Sequence, residues 1–265
     1  MDFTLYWFMF PVSIGVATCA MLSGIGGAAL FTPIFVLIFP LLGPEYALQT
    51  TVAAIGTALL TQTFGFMSGF VGYYRKGTID FALAYRFLRV AMPVAIAGAL
   101  ASHWLHDGVL IAAYAVLVFS LAIGLIFFRR RSHPDKKGGI SGVIITAVGA
   151  FLTGLVSVGI GEVIISQLTR RGIPVATAAA TSVAVVIVTV ACASITQIVQ
   201  LIRDGGLAAV PWHLVSYTIP GVIIGGQIGP RLQGRVAQRT MERAIGVLFI
   251  VLAIAMLFVA LGKFG

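Results

Sequence analysis

Charge is scarce in this sequence: Asp, Glu, Lys and Arg make up 9% of its 265 residues, against roughly 25% in a soluble domain. Eight acidic residues are spread along the chain, and the apolar stretches hold no paired carboxylates and no Ser–His constellation, which disfavours an intramembrane enzyme. Two cysteines, Cys19 and Cys192, lie inside apolar segments; they read as packed free thiols, not as a disulfide framework. The four histidines, His103, His106, His133 and His213, lack metal-ligand spacing, so no metal or other cofactor is called for. A basic n-region is also missing from Met1-Asp2-Phe3-Thr4, and the first apolar run is expected to be a retained helix.

What the sequence has is apolar surface and glycine. Hydrophobic residues make up 59%, mean hydropathy is +1.06, and there are 31 glycines. Water is not the main solvent of such a chain; the natural unit is a spanning segment of roughly 20 apolar residues. The formal charge of +9 sits in short loops without interleaved aromatics, so nucleic acid is not the expected partner. Membrane lipid is.

The chain carries an internal repeat. Gly24-Ile25-Gly26 recurs as Gly159-Ile160-Gly161, and Ala47 to Ala53 recurs as Ala178 to Ala184. Met92 to Leu105 matches Ile219 to Leu232 through Pro93/Pro220, Ile96/Ile223, Gly98/Gly225 and Leu105/Leu232; Leu121 to Ile123 matches Leu252 to Ile254. The offsets are 135, 131, 127 and 131, in order along the chain. The expected units are residues 1–130 and 138–265, joined by a basic linker at 129–137.

Each unit reads as five apolar stretches, about 5–23, 27–42, 46–73, 83–104 and 109–128, then 139–158, 161–169, 174–202, 208–230 and 240–262. Four basic clusters, around Arg75 to Arg89, Arg129 to Lys137, Arg170-Arg171 and Arg231 to Arg243, hold 15 of the 17 Lys and Arg residues. Placing them all in the cytoplasm makes 139–158 and 161–169 a hairpin, since nine residues rise only ~14 Å. By symmetry 5–23 and 27–42 form another. The expected architecture is an all-α polytopic membrane protein of two inverted repeats. Each repeat has a broken, re-entrant hairpin plus three transmembrane helices, and both termini are extracytoplasmic.

Inverted repeats are a ground plan of secondary transporters, with the site near mid-membrane. The hairpin tips put non-helical backbone there, and helices starting after them aim N–H groups and a positive dipole end at the tip, which suits a small anion. Gly24, Gly26, Gly27, Gly159 and Gly161 are the candidate tip residues, although glycines also simply allow close helix packing. Thr50, Thr51, Thr181 and Ser182 offer hydroxyl donors, or bond their own helices. Glu162 is a buried carboxylate standing where the first half has Gly27; it either couples a proton or caps its own helix. Gln62, Gln167 and Gln197 are weaker candidates, because helix-to-helix hydrogen bonds explain buried amides equally well.

With these motifs in place, the sequence resembles the sulfite exporter TauE/SafE family of membrane permeases. The resemblance rests on Gly24-Ile25-Gly26-Gly27, Pro33 and Ala47 to Ala53, then Gly159-Ile160-Gly161-Glu162, Arg171-Gly172-Ile173-Pro174 and Ala180-Thr181-Ser182-Val183. It implies movement of sulfite, sulfoacetate, thiosulfate or a related anion across the cell membrane. An inside-negative potential of 100 mV drives each negative charge outward by ~2.3 kcal/mol, so export needs no coupling ion. Proton-coupled uptake through Glu162 is the alternative within transport; a membrane enzyme and a structural subunit are the alternatives outside it.

Overall fold

The computed structural model describes residues 3–23, 27–127, 140–232 and 238–264. Gly24, Gly26 and the linker at 129–137 lie outside the described residues. Among the described residues, ten helices follow a 3-10 turn at Phe3–Tyr6. They are α1 (Met9–Ser23), α2 (Ala28–Leu42), α3 (Thr51–Arg75), α4 (Phe81–Ser102), α5 (Asp107–Phe127), α6 (Ile140–Val156), α7 (Ile160–Arg170), α8 (Val175–Gly205), α9 (Trp212–Leu232) and α10 (Gln238–Phe264).

Local chemistry sets most boundaries. Thr50 caps α3 by accepting from the Ala53 N–H at 3.1 Å, and Asp80 caps α4 by accepting from the Leu83 N–H at 3.0 Å; each satisfies one orphan donor of a first turn. The apolar run expected from residue 46 therefore becomes helical only at Thr51, after a loop containing Pro44. Gly172 (φ 82°) and Gly206 (φ 71°) turn the chain out of α7 and α8 in the left-handed region that favours glycine. Within α2, Pro33 brings no N–H to the ladder, and the following residues Ile34–Ile38 widen into a π-helix.

The packing is layered. In α3 and α8, 67% and 72% of the apolar window is buried, against 33–39% in α4, α5 and α10. The two therefore form the centre and the others face outward. α5 packs on α10, α1 on α9, and α4 on α6, while α3 contacts α9 and α8 contacts α4. Glycine allows the closest approaches. A Cβ on Gly98 would collide with the Phe151 carbonyl of α6, and one on Gly225 with the Ile14 carbonyl of α1. The two members of a sequence-matched pair thus occupy the same kind of contact, each on the first helix of the other half.

Among the described residues, five helices, α3, α4, α5, α8 and α10 (over Arg243–Lys263), are long and apolar enough to cross a membrane. The 21-residue α9 is long enough, but Ser216, Thr218 and Gln227 make it more polar. Gln227 donates to the Ser68 carbonyl at 2.6 Å, Ser68 donates to the Ile223 carbonyl at 2.7 Å, and Thr218 meets Thr61 at 3.1 Å, all between α9 and α3. α7 does not cross: its 11 residues rise ~16 Å. It returns alongside α6, for Gln167 near its C-terminus donates to the Gly142 carbonyl and Thr146 hydroxyl at the start of α6 (3.2 and 2.9 Å).

Candidate functional site

Among the described residues, the turn between α6 and α7 is buried backbone of irregular conformation. Ser157 has φ 66° and Gly159 φ 134°, conformations a helix cannot continue through. Both residues are buried. The strain at Ser157 is held by its side chain, which donates to the Val156 carbonyl at 2.5 Å and lies 2.7 Å from the Thr32 hydroxyl of α2. With Ser157 donating to the carbonyl, Thr32 is the donor to Ser157.

Gly159 is the N-cap of α7 and supplies no capping side chain. The first donor of the helix is taken from elsewhere: the Ile160 N–H donates to the Thr153 hydroxyl at 2.8 Å, and Thr153 donates to the Gly149 carbonyl at 2.9 Å. The next N–H, that of Gly161, has no intrahelical acceptor, so α7 presents its positive end to the tip. Ser182 of α8 donates to the Gly161 carbonyl at 3.0 Å, fixing the helix start against the central layer. Glu162, 7% exposed, occupies the first turn of the same helix. Gly159, Gly161, Glu162 and Ser182 are thus brought together, with Ser157, Thr153 and Thr32 beside them.

The start of α2 is arranged differently. Gly27 is buried and begins the helix without a side-chain cap. The Ala28 N–H donates to Gln62 Oε1 of α3 at 2.7 Å, and the Tyr114 hydroxyl of α5 donates to the Ala29 carbonyl. A glutamine from the central layer therefore occupies the first donor of α2, the place that a threonine from the preceding helix fills at α7.

The remaining candidates lie apart from this cluster. Thr181 is fully buried, and its hydroxyl accepts from the Asp80 N–H at 3.0 Å, joining α8 to the start of α4. Thr50 is exposed as the cap of α3, and Thr51 is buried. Both border a cavity of about 410 Å³ between α2, α3, α5 and α10, where Lys263 meets Asp107 at 3.8 Å. Gln197 bridges helices: its amide nitrogen donates to Ser102 Oγ (2.7 Å) and the Gly154 carbonyl (3.2 Å), and its oxygen lies 2.9 Å from His103 Nε2.

Sequence reasoning passed over Thr32, Thr153 and Tyr114 and gave Gln62 little weight. The partners of Gln62, Tyr114 and Thr32 stand 34, 85 and 125 positions away and leave no local spacing to read, whereas Thr153 meets Ile160 seven residues on through the shape of the turn. Ser157 stands two residues before Gly159 in the second tip, and its bond to Thr32 of α2 spans 125 positions.

A family model described as sulfite exporter TauE/SafE matches residues 9–256. The probable membrane transporter protein YjnA of Bacillus subtilis (strain 168) is 26% identical over 242 residues, covering 84% of this chain and 90% of that protein. The probable membrane transporter protein YunE of the same organism is 20% identical over 275 residues, covering 95% of this chain and 97% of its own length. No solved structure matches. A family match through nearly the whole chain, five helices fit to span a bilayer and relatives aligned over almost their full length lead to one assignment. The chain is a multi-pass membrane protein, a transporter and not an enzyme, and it belongs to the TauE/SafE sulfite exporter family.

Proposed function

We propose that this protein is a secondary transporter that exports a small sulfur oxyanion or organosulfonate, of the sulfite, sulfoacetate or thiosulfate class, through a site at the start of α7. The observation that carries the reading is the tip itself. A helix N-terminus without a side chain on its cap residue is buried among the hydroxyls of Ser157, Thr32, Thr153 and Ser182. The dipole end, with about half a unit of positive charge, supplies the attraction, and hydroxyls such as Ser182, on turning the proton away from the carbonyl it now meets, would replace part of an oxyanion's hydration shell. Gly24, Gly26 and Gly27 of the first tip are assigned to the same site. Thr181 stands one residue from Ser182 and keeps a proton to donate, while Thr50 and Thr51 serve the path on the Lys263 side.

The two halves are read as inverted repeats, residues 1–130 and 138–265. The matched packing of α1 on α9 and α6 on α4 supports this, as do the matched glycines Gly225 and Gly98. The basic clusters then face the cytoplasm and both termini lie outside. A dianion leaving an inside-negative cell gains about 4.6 kcal/mol per 100 mV, so the potential alone drives export.

A second reading, proton-coupled uptake, draws on one feature, the buried Glu162 in the first turn of α7. A carboxylate there repels an anion at the same tip unless it takes up a proton.

Equilibrium binding to the purified protein tests the proposal. Sulfite, thiosulfate and sulfoacetate are expected to compete for one site, with chloride far weaker. Ser182→Ala is expected to weaken each by several-fold, since one hydroxyl contact contributes on the order of 1 kcal/mol. Equal binding of chloride, or unchanged affinity in Ser182→Ala and Gly161→Leu alike, would move the site elsewhere.

A further inference from the structure

A second cavity, of about 210 Å³, opens between α4, α6 and α7 at the end of the bundle where α7 stops. Two guanidinium groups border it, Arg86 of α4 and Arg171 at the C-cap of α7. Neither has an ion-pair partner among the described residues. Arg171 is positioned: its guanidinium carbon lies 5.8 Å from the centre of the Phe87 ring, within the range of a cation–π contact. Gly142 keeps the floor open, because a Cβ there would stand 3.1 Å from Gln167 Oε1 and 3.5 Å from Arg171 Nη2. Gln167 itself is braced by its two bonds to α6, so the three helices hold the cavity as one unit.

Two arginines in one cleft, without an ion-pair partner among the described residues, are a receptor for a tetrahedral oxyanion, which each fork can hold through two N–H groups. The rest of the wall selects which oxyanion. Leu83, Phe87, Val90 and Val143 are apolar, and α6 continues outward as an exposed apolar strip of Val143, Ile144, Ile145 and Val148. In a membrane protein that strip faces acyl chains. We infer that Arg86 and Arg171 bind the headgroup phosphate of an anionic phospholipid whose chains lie along α6, and that this lipid bridges α4 to the α6–α7 hairpin. Basic pockets between membrane helices suit such headgroups. The bridge bears on the proposed anion site because α7 carries the cavity at one end and the tip at the other, yet the lipid site does not depend on the transport reading.

The experiment uses the full-length protein in detergent. Native mass spectrometry and thermal melting are measured with added phosphatidylglycerol, phosphatidylcholine, or inorganic phosphate. Phosphatidylglycerol is expected to be retained and to raise the melting temperature, with phosphatidylcholine and inorganic phosphate doing neither. Arg86→Gln and Arg171→Gln are each expected to weaken retention about tenfold, the worth of one set of charged hydrogen bonds. Equal retention of the two lipids by the wild-type protein would overturn the inference without recourse to any variant. Stabilisation by inorganic phosphate alone would overturn the lipid assignment, and undiminished retention in the folded double variant would overturn the role of the arginines. Anion flux measured on the same samples keeps a failure here distinct from a failure of the transport proposal.

Discussion

The hydroxyls of Thr32 and Ser157 lie 2.7 Å apart, joining α2 to the α6–α7 turn across 125 positions of sequence. The bond is buried on both sides, so neither group can exchange it for water. It locks the strained Ser157 backbone to a helix of the first half. Thr32→Val and Ser157→Ala are therefore expected to be coupled. A double-mutant cycle of unfolding should return about 0.5–1.5 kcal/mol, the range for hydrogen bonds between membrane helices. Additive single effects would mean that the two halves do not meet here.

Glycine substitutions should separate close approach from mere composition. Gly98→Ala and Gly154→Ala each place a Cβ against backbone of the facing helix, where no rotamer change relieves the clash. Both should lose most folded protein in detergent-stable expression. Gly124→Ala, with nothing within 4 Å of the added carbon, should be neutral or slightly stabilising, because alanine is the better helix former. Equal yields for all three would contradict the α4–α6 packing.

Orientation is open to direct chemical labelling. With the native Cys19 and Cys192 replaced, single cysteines at positions 133 and 263 should react from opposite sides of the membrane. Position 133 should be cytoplasmic and position 263 outside. Labelling of both from one side would remove the inverted arrangement, since the second half would then cross an even number of times.

Glu162 distinguishes potential-driven export from proton coupling. Unassisted export predicts that Glu162→Gln, which mimics the neutral acid, keeps the pH profile of flux. Coupled transport predicts that the glutamine flattens the profile while retaining binding. Flux against pH in the two proteins decides it.

Much of the fold was legible in the sequence because the bilayer imposes simple demands on it. A span needs an uninterrupted apolar run, and glycine, proline and capping residues mark where each run ends. The non-spanning α7 followed from its length, and helix ends moved by a few residues where capping chemistry intervened, as at Thr50. The site was harder to read. The expected repeat aligns Thr50-Thr51 with Thr181-Ser182, yet α3 begins at Thr51 whereas α8 begins six residues before Thr181. The aligned hydroxyls therefore meet different surroundings, one pair on an open cavity and the other in the central layer. Gln62 closing the start of α2 depends on which helices face each other, and helix pairing is not written in local periodicity; Thr153 closes the start of α7 from seven residues upstream, through the shape of the turn between them.

The central claim is that the potential alone drives a sulfur oxyanion outward through this protein. Its most direct test is flux in proteoliposomes, with the membrane potential and the pH gradient set independently. Sulfite or thiosulfate loaded on the cytoplasmic side should leave faster as that side is made more negative, with no pH gradient required, and Gly161→Leu should abolish the flux. Movement that ignores the potential and requires a proton gradient would contradict the account.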